Sequence, residues 1–380
     1  MMSDYWQGGG RAGGDPGAPP GGPELGPAEI SAVSKNGYRL LRENKIPGAI
    51  DCFASILRAD ANNNYALVGM GDAARKQGMC HEAAAYYRRC LDHHPGNSYA
   101  LFGLADCYKA LNQYEKAIEI WEQYLAHDDR NITVLTRVAN AYRKIRAFKS
   151  AKAVFLQVLE MEEDNPYAII GLGHLHYDFK EYREALHYWE RMLGINPADV
   201  DVRVLTSIGN CHRKLKTFGE GVPFFEQVLR KEPGNFYAIF GLADCYRGLS
   251  RQDCAIVYWN RILDQDPRNK VILTRAGDAY RNMGDFRKAQ DYYERALNIE
   301  FDVYAVLGLA LISKFQKKYA DAVVSLRGLI QQDSKNHRIF MELADCLIKM
   351  GERRKAVEVL EEFQRMGIRN AHVSEMLGKI

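Results

Sequence analysis

Small residues return along this 380-residue chain at a near-constant interval, at Gly37, Gly71, Ala105, Ala139, Gly173, Gly209, Ala243, Gly277, Ala310, Ala344 and Gly378. Most neighbours stand 34 residues apart. A second ladder runs twelve places behind the first, through Ala49, Ala83, Ala117, Ala151, Ala185, Gly221, Ala255, Ala289, Ala322 and Ala356. Two locked ladders mean one unit repeated, and a period of this length marks a helical array whose units bury their apolar faces on their neighbours. Small residues belong where helices cross, because only a hydrogen or a methyl lets two backbones approach. The chain holds ten full units and a fragment.

Each unit reads as two helices. In the second, Leu67, Met70, Gly71 and Ala74 make an apolar stripe at helical spacing, Gly78 interrupts it, and Ala83, Tyr87, Cys90 and Leu91 make another that ends before Pro95. Phe53, Tyr87, Trp121, Phe155, Trp189, Phe225, Trp259 and Tyr293 stand four places after the second ladder and are expected to fill the gap between hairpins. Pro95, Pro197, Pro233 and Pro267 close units at equivalent places, where proline cannot continue a helix.

These residues resemble the tetratricopeptide repeat, whose unit carries a large residue, Leu-Gly, Tyr, a mid-unit Ala, an aromatic, a second Ala and a closing Pro. Ile272 to Asn298 fits closely, with Gly277, Tyr280, Ala289, Tyr293 and Ala296 in place, and the likeness runs from about Ile30 to Ile380. It implies an all-α fold: a right-handed α-α superhelix, or solenoid, of about ten helix-turn-helix hairpins. The expected organisation is a Gly/Pro-rich tail over 1–27, the solenoid over 28–370 and a partial helix over 371–380. Departures are local: no Trp on any first helix, Gly221 for a mid-unit Ala, a join of 36 residues before Gly209, and Pro223 inside a second helix. They predict a bulge at Asp199 to Arg203 and a late helix start near Gly221 to Pro223.

Composition adds exclusions. The tail interleaves glycines with Pro16, Pro19, Pro20, Pro23 and Pro27, buries no core and is expected to be disordered. It lacks the basic start and apolar run of a secretory signal, and no stretch of 18 apolar residues follows, so the expected place is the cytoplasm, with no membrane contact. Cys107, Cys211, Cys245 and Cys346 occupy the position held elsewhere by Ala73, Ala141 and Ala279, and read as packing thiols. Cys80 with His81, Cys90 with His93 and His94, and His174 with His176 lack the paired short spacing of a metal site. No nucleophile elbow, phosphate-cradling glycine loop or zinc-protease motif occurs, so neither a cofactor nor a catalytic activity is expected.

What remains is a polar ladder on the first helices. One residue after the small residue lie Asp72, Asp106, Asn140, His174, Asn210, Asp244, Asp278 and Asp345; three further on lie Arg75, Lys109, Arg143, Tyr177, Arg213, Arg247, Arg281 and Lys314. A spacing of three puts both on one helix face. The resemblance places these positions on the concave groove and implies a scaffold that binds an extended peptide or protein segment there, carboxylates and amides bonding its backbone and guanidinium groups its acidic side chains. The competing reading is that each Asp pairs with the Arg three places on or with a neighbouring unit, which leaves a solvated face.

The first helices also alternate between two forms, YALFGLADCY (Tyr99 to Tyr108) or YAIFGLADCY (Tyr237 to Tyr246) and VLTRVANAY (Val134 to Tyr142) or ILTRAGDAY (Ile272 to Tyr280). Tyr99, Tyr167 and Tyr237, with Phe102, Ile170 and Phe240, are read either as apolar patches on the groove or, more simply, as packing against the preceding hairpin. The Lys/Asn clamp of chaperone-binding relatives is not reproduced; Arg137 with Asn140 and Arg203 with Asn210 come nearest. A net charge of +3 and acids one turn from the arginines argue against nucleic acid. The last apolar residues, Val373, Met376, Leu377 and Ile380, predict an uncapped end through which a second copy or a partner docks.

Overall fold

The computed structural model describes residues 26–195 and 200–380. Among them every regular element is a helix, twenty-one in all. Ten hairpins follow one another: α1 (Pro27–Arg42) with α2 (Ile46–Ala59), α3 (Asn64–Lys76) with α4 (Cys80–His93), α5 (Ser98–Ala110) with α6 (Tyr114–Leu125), α7 (Ile132–Lys144) with α8 (Phe148–Met161), and α9 (Pro166–Asp178) with α10 (Tyr182–Ile195). The remaining five are α11 (Val202–Leu215) with α12 (Phe218–Lys231), α13 (Phe236–Gly248) with α14 (Gln252–Gln265), α15 (Lys270–Asn282) with α16 (Phe286–Leu297), α17 (Val303–Phe315) with α18 (Tyr319–Gln332), and α19 (His337–Lys349) with α20 (Arg353–Arg365). A short α21 (Ala371–Leu377) closes the chain. The helices group into two compact units, one up to Leu175 and one from His176, with the division inside α9.

A third ladder, of N-caps, starts the first helices. Asn63, Asn97, Asn131, Asn165, Asp201, Asn235, Asn269, Asp302 and Asn336 each accept a backbone N–H of the opening turn. In six turns the capping amide is itself held by a carboxylate three residues earlier: Asp60, Asp128, Glu162, Glu232, Asp266 and Asp333 accept from it. That acid also sits favourably at the positive end of the helix dipole. Between the two helices of a hairpin one residue turns left-handed: Gly78, Gly284 and Gly351 do so without strain, and Asn112, Arg146, Lys180, Ser250 and Lys317 do so elsewhere.

The expected aromatic wedges are present and buried. Phe53, Tyr87, Trp121, Phe155, Trp189, Phe225, Trp259 and Tyr293 are closed to solvent. Phe225 lies between two backbones: a Cβ built on Gly209 would meet its ring at 2.7 Å and one on Gly241 at 2.3 Å. Gly37 and Gly69 flank Phe53 in the same way, Gly71 and Gly103 flank Tyr87, and Gly277 and Gly308 flank Tyr293. The sequence reading found the first glycine of each pair and missed the second, two residues before the next small residue.

First helices lie side by side, α1 with α3 and α3 with α5 in the first unit, and α11 with α13, α15 with α17 and α17 with α19 in the second. Among the described residues second helices make no comparable contact with one another, so within each unit the first helices present one face.

Four expectations need correction. Pro27, assigned to the tail, opens α1, whose Glu29 reaches back to the Gly26 amide; residues 1–25 lie outside the described residues. α12 does not start late: it begins at Phe218 and carries Pro223 inside it, where the lost donor would have faced the carbonyl of Gly219, a residue without a side chain and with open space around it. Of the expected bulge, Asp199 lies outside the described residues, while Asp201 caps α11 and Arg203 is helical. Finally, the last apolar residues turn inward: Val373 is fully buried on the core around α19 and α20, with Met376, Leu377 and Ile380 packed beside it.

Candidate functional site

The first-helix face carries tyrosines at one register, the second residue of the helix. Tyr65, Tyr99 and Tyr167 in the first unit and Tyr237 and Tyr304 in the second are all exposed, Tyr99 and Tyr237 by 80% and 70%. The packing reading of Tyr99, Tyr167 and Tyr237 is therefore overturned: at the start of its helix each ring stands clear of the preceding hairpin. Phe102 and Phe240, one turn further on, are half-buried and lie beneath guanidinium groups. Arg137 sits 4.7 Å over the Phe102 ring, and Arg275 sits 5.0 Å over Phe240 and 5.6 Å over Trp259.

Those arginines belong to two carboxylate hubs. Asp106 on α5 accepts from Nη1 of Arg75 on α3 at 3.4 Å and from Nη1 of Arg137 on α7 at 2.5 Å. Asp244 on α13, nearly closed to solvent, accepts from Arg213 on α11 at 2.6 Å, from Nε of Arg247 on its own helix at 3.2 Å, and from Arg275 on α15. The cross-helix partners are always 31 residues away, one period less one turn, so adjacent first helices are staggered by about one turn and the row Arg, Asp, Arg runs straight across three of them. Lys314 reaches Asp345 by the same step and Glu342 besides, bonds that outweigh its burial and raise its pKa.

The rest of the ladder is largely self-satisfied. Asp72 accepts from Tyr87 at 2.7 Å and pairs with Arg75, and Asp278 accepts from Tyr293 at 2.8 Å and pairs with Arg281. Burial, with the adjacent carboxylate, pushes both phenols well above their ordinary range, so they stay donors. Asn140 donates to Thr136 O of its own helix, and Asn210 accepts from Arg213. Tyr177 packs edge-on to Tyr182 and tilts against Trp189 instead of facing solvent. His174 on α9 and Arg143 on α7 are half-buried, and Lys109 is exposed. The expected spacing-of-three ion pairs thus form at Asp72, Asp244 and Asp278, and the carboxylates expected to bond a peptide backbone are occupied by the protein's own cations. Pairing alone misses Arg137 and Arg275; their signal was the Arg that recurs only in the second helix form.

At the edge of this face Tyr38, Leu41, Arg42, Asp72, Arg75 and Lys76 line an open recess of about 460 Å³. Lys76 donates to the Leu41 carbonyl, and Arg42 is exposed. Among the described residues no group of three or more His, Cys, Asp or Glu is placed to hold a metal ion, and no helix is long and apolar enough to cross a membrane. All eight cysteines are free thiols.

Residues 74–138 and 316–365 match one family profile described as the tetratricopeptide repeat, and residues 272–303 match another. None of the curated proteins compared matches the sequence. Among solved structures the chain is similar to a tetratricopeptide repeat protein from Parabacteroides merdae, at 17% identity over 64% of this chain and 95% of that one, with a TM-score of 0.51. It is also similar to MamA (22% identity, 45% and 92% covered, TM-score 0.40) and to YrrB, described as having an unusual peptide-binding site (19%, 50% and 97%, 0.41). The first supports the all-helical hairpin fold.

Proposed function

We infer that this chain, a tetratricopeptide-repeat protein, is a non-catalytic scaffold that holds an extended segment of a partner protein on its first-helix face. The family supports a protein-interaction scaffold in general and is typically not enzymatic. The observation that carries the finer reading is the tyrosine register: large rings left 60–80% exposed at one helical position in five units. Exposed aromatics with a polar tip supply contact area at little entropic cost, and two of them, Tyr99 and Tyr237, lie one turn before Phe102 and Phe240, the rings under the hub arginines. Free thiols throughout suit a reducing, cytoplasmic compartment.

The test is co-purification from the native cell with wild type and with a Tyr99→Ser, Tyr167→Ser, Tyr237→Ser variant of unchanged helicity and melting. Loss of the same proteins from the variant supports the face as the binding surface. An identical set retained by the variant refutes it.

A further inference from the structure

One constellation on this face occurs twice. Tyr99, Phe102 and Asp106 on α5, followed by Lys109, correspond in spacing to Tyr237, Phe240 and Asp244 on α13, followed by Arg247, and each hub has its two cross-helix arginines. The other first helices with the tyrosine break the pattern: α3 keeps Asp72 and Arg75 but has Val68 in place of the aromatic, α9 has Ile170 and His174 in place of the aromatic and the acid, and α17 has Leu307 and Leu311. The set is therefore present once in each compact unit.

In both copies the acid lies under the cations. The Asp106 and Asp244 side chains are 13% and 5% exposed, whereas their arginines keep 22–46%. The Asp244 site counts three cations to one acid and the Asp106 site three to two, since Arg75 also pairs with Asp72; a guanidinium that spends one or two N–H groups on an acid has others left for an outside acceptor. The wider face agrees. On α1, α3, α5 and α7 nine Lys and Arg stand against three Asp and Glu, and on α11, α13, α15, α17 and α19 ten stand against four. The second helices are balanced, six against seven on α2, α4, α6 and α8. Acids collect instead in the turns between hairpins, where they hold the caps.

Resting on the reading of this face as a protein-binding surface, we propose that the chain carries two equivalent sites, one at Asp106 and one at Asp244, each taking one acidic, extended polypeptide segment. A row across three helices packed about 8–10 Å apart is about 20 Å long, which about six extended residues span. Acidic side chains meet the guanidinium rows and the intervening residues meet the tyrosines. A short segment feels only the local field within the Debye length of about 8 Å, whereas a nucleic acid running past the site meets the acidic turns.

The experiment is calorimetric titration of the full chain with a peptide of alternating Glu and Pro, already extended in solution, beside its Gln/Pro and Lys/Pro counterparts and oligothymidylate. The expected result is two peptides per chain, with the Gln/Pro peptide about tenfold weaker or more and affinity falling with salt. A Tyr99→Ser, Lys109→Gln variant and a Tyr237→Ser, Arg247→Gln variant are each expected to leave one peptide per chain, and their combination none, with helicity retained and Asp244 still paired to Arg213 and Arg275. A single binding event indifferent to both variants overturns the proposal. Equal affinity for the Gln/Pro peptide overturns the acidic chemistry while leaving the protein-binding reading standing. Absence of saturable binding by every peptide, or tighter binding of oligothymidylate, overturns both.

Discussion

Replacing Gly241 by alanine tests the packing that sets the hairpin spacing. The new Cβ would lie 2.3 Å from Cζ and 2.4 Å from Cε1 of Phe225, where ordinary contact is 3.4–4 Å, so ring or helix must retreat by more than about an ångström. Phe225 is fully buried and Gly209 backs it from the other side, so the ring has nowhere to go without parting α12 from α13. Overpacking of this kind costs about 1–3 kcal/mol, and alanine's better helix propensity returns up to about 1, leaving a net loss of about 1–2 kcal/mol. Gly328→Ala in α18 is the control: its Cβ meets nothing within 4 Å, and the propensity gain alone should stabilise by about 0.5–1 kcal/mol. Repeat arrays open locally, so the assay is native-state hydrogen exchange of the α12 and α13 amides, expected to quicken about 5–30-fold in Gly241→Ala. If Gly241→Ala protects these amides as well as or better than wild type, the clamped ring is wrong.

Other expectations follow from the hubs and the buried thiols. Asp244→Asn should cost about 2–4 kcal/mol in urea unfolding, because three arginines lose a buried counter-charge while keeping some access to water, and Asp106→Asn, more exposed and with two partners, should cost less; the reverse order would refute the hub description. Tyr293→Phe removes the donor to Asp278 and should cost about 1 kcal/mol, with Tyr87→Phe equivalent. Burial pushes the Cys107, Cys211 and Cys245 thiols up to about 12 and Cys90 to about 11, so in native protein the half-buried Cys52, Cys80 and Cys254 should react first with a thiol reagent. These folded values lie above the ordinary thiol value of about 8.5, so their contribution to stability is complete below that pH and is lost as pH climbs towards 12; unfolding free energy should be lower near pH 10 than near pH 7.5.

Much of the fold was legible because close backbone approach admits so few side chains. Gly71 and Ala83 mark their crossings whatever surrounds them, and Tyr87 has to fill the space they leave. The Asn63, Asn97 and Asn131 caps were equally regular but went unread, since Asn in a turn has several local uses. The site was harder. A spacing of three shows that Asp244 and Arg247 share a face, but the reach of Arg213 and Arg275 depends on the stagger between helices, which no single helix encodes. Tyr99 and Phe102 differ by one turn, and only the packed neighbours decide that one is solvent-exposed and the other lies under Arg137.

The central claim, that partner proteins meet the first-helix face, is tested most directly by placing a photo-crosslinking amino acid at Tyr237 and, separately, at Val257, an exposed residue of a second helix in the same unit. The account predicts adducts from position 237 that map to one acidic stretch of a partner, and none from 257. Adducts from 257 with none from 237 would place the binding surface on the second helices and contradict it.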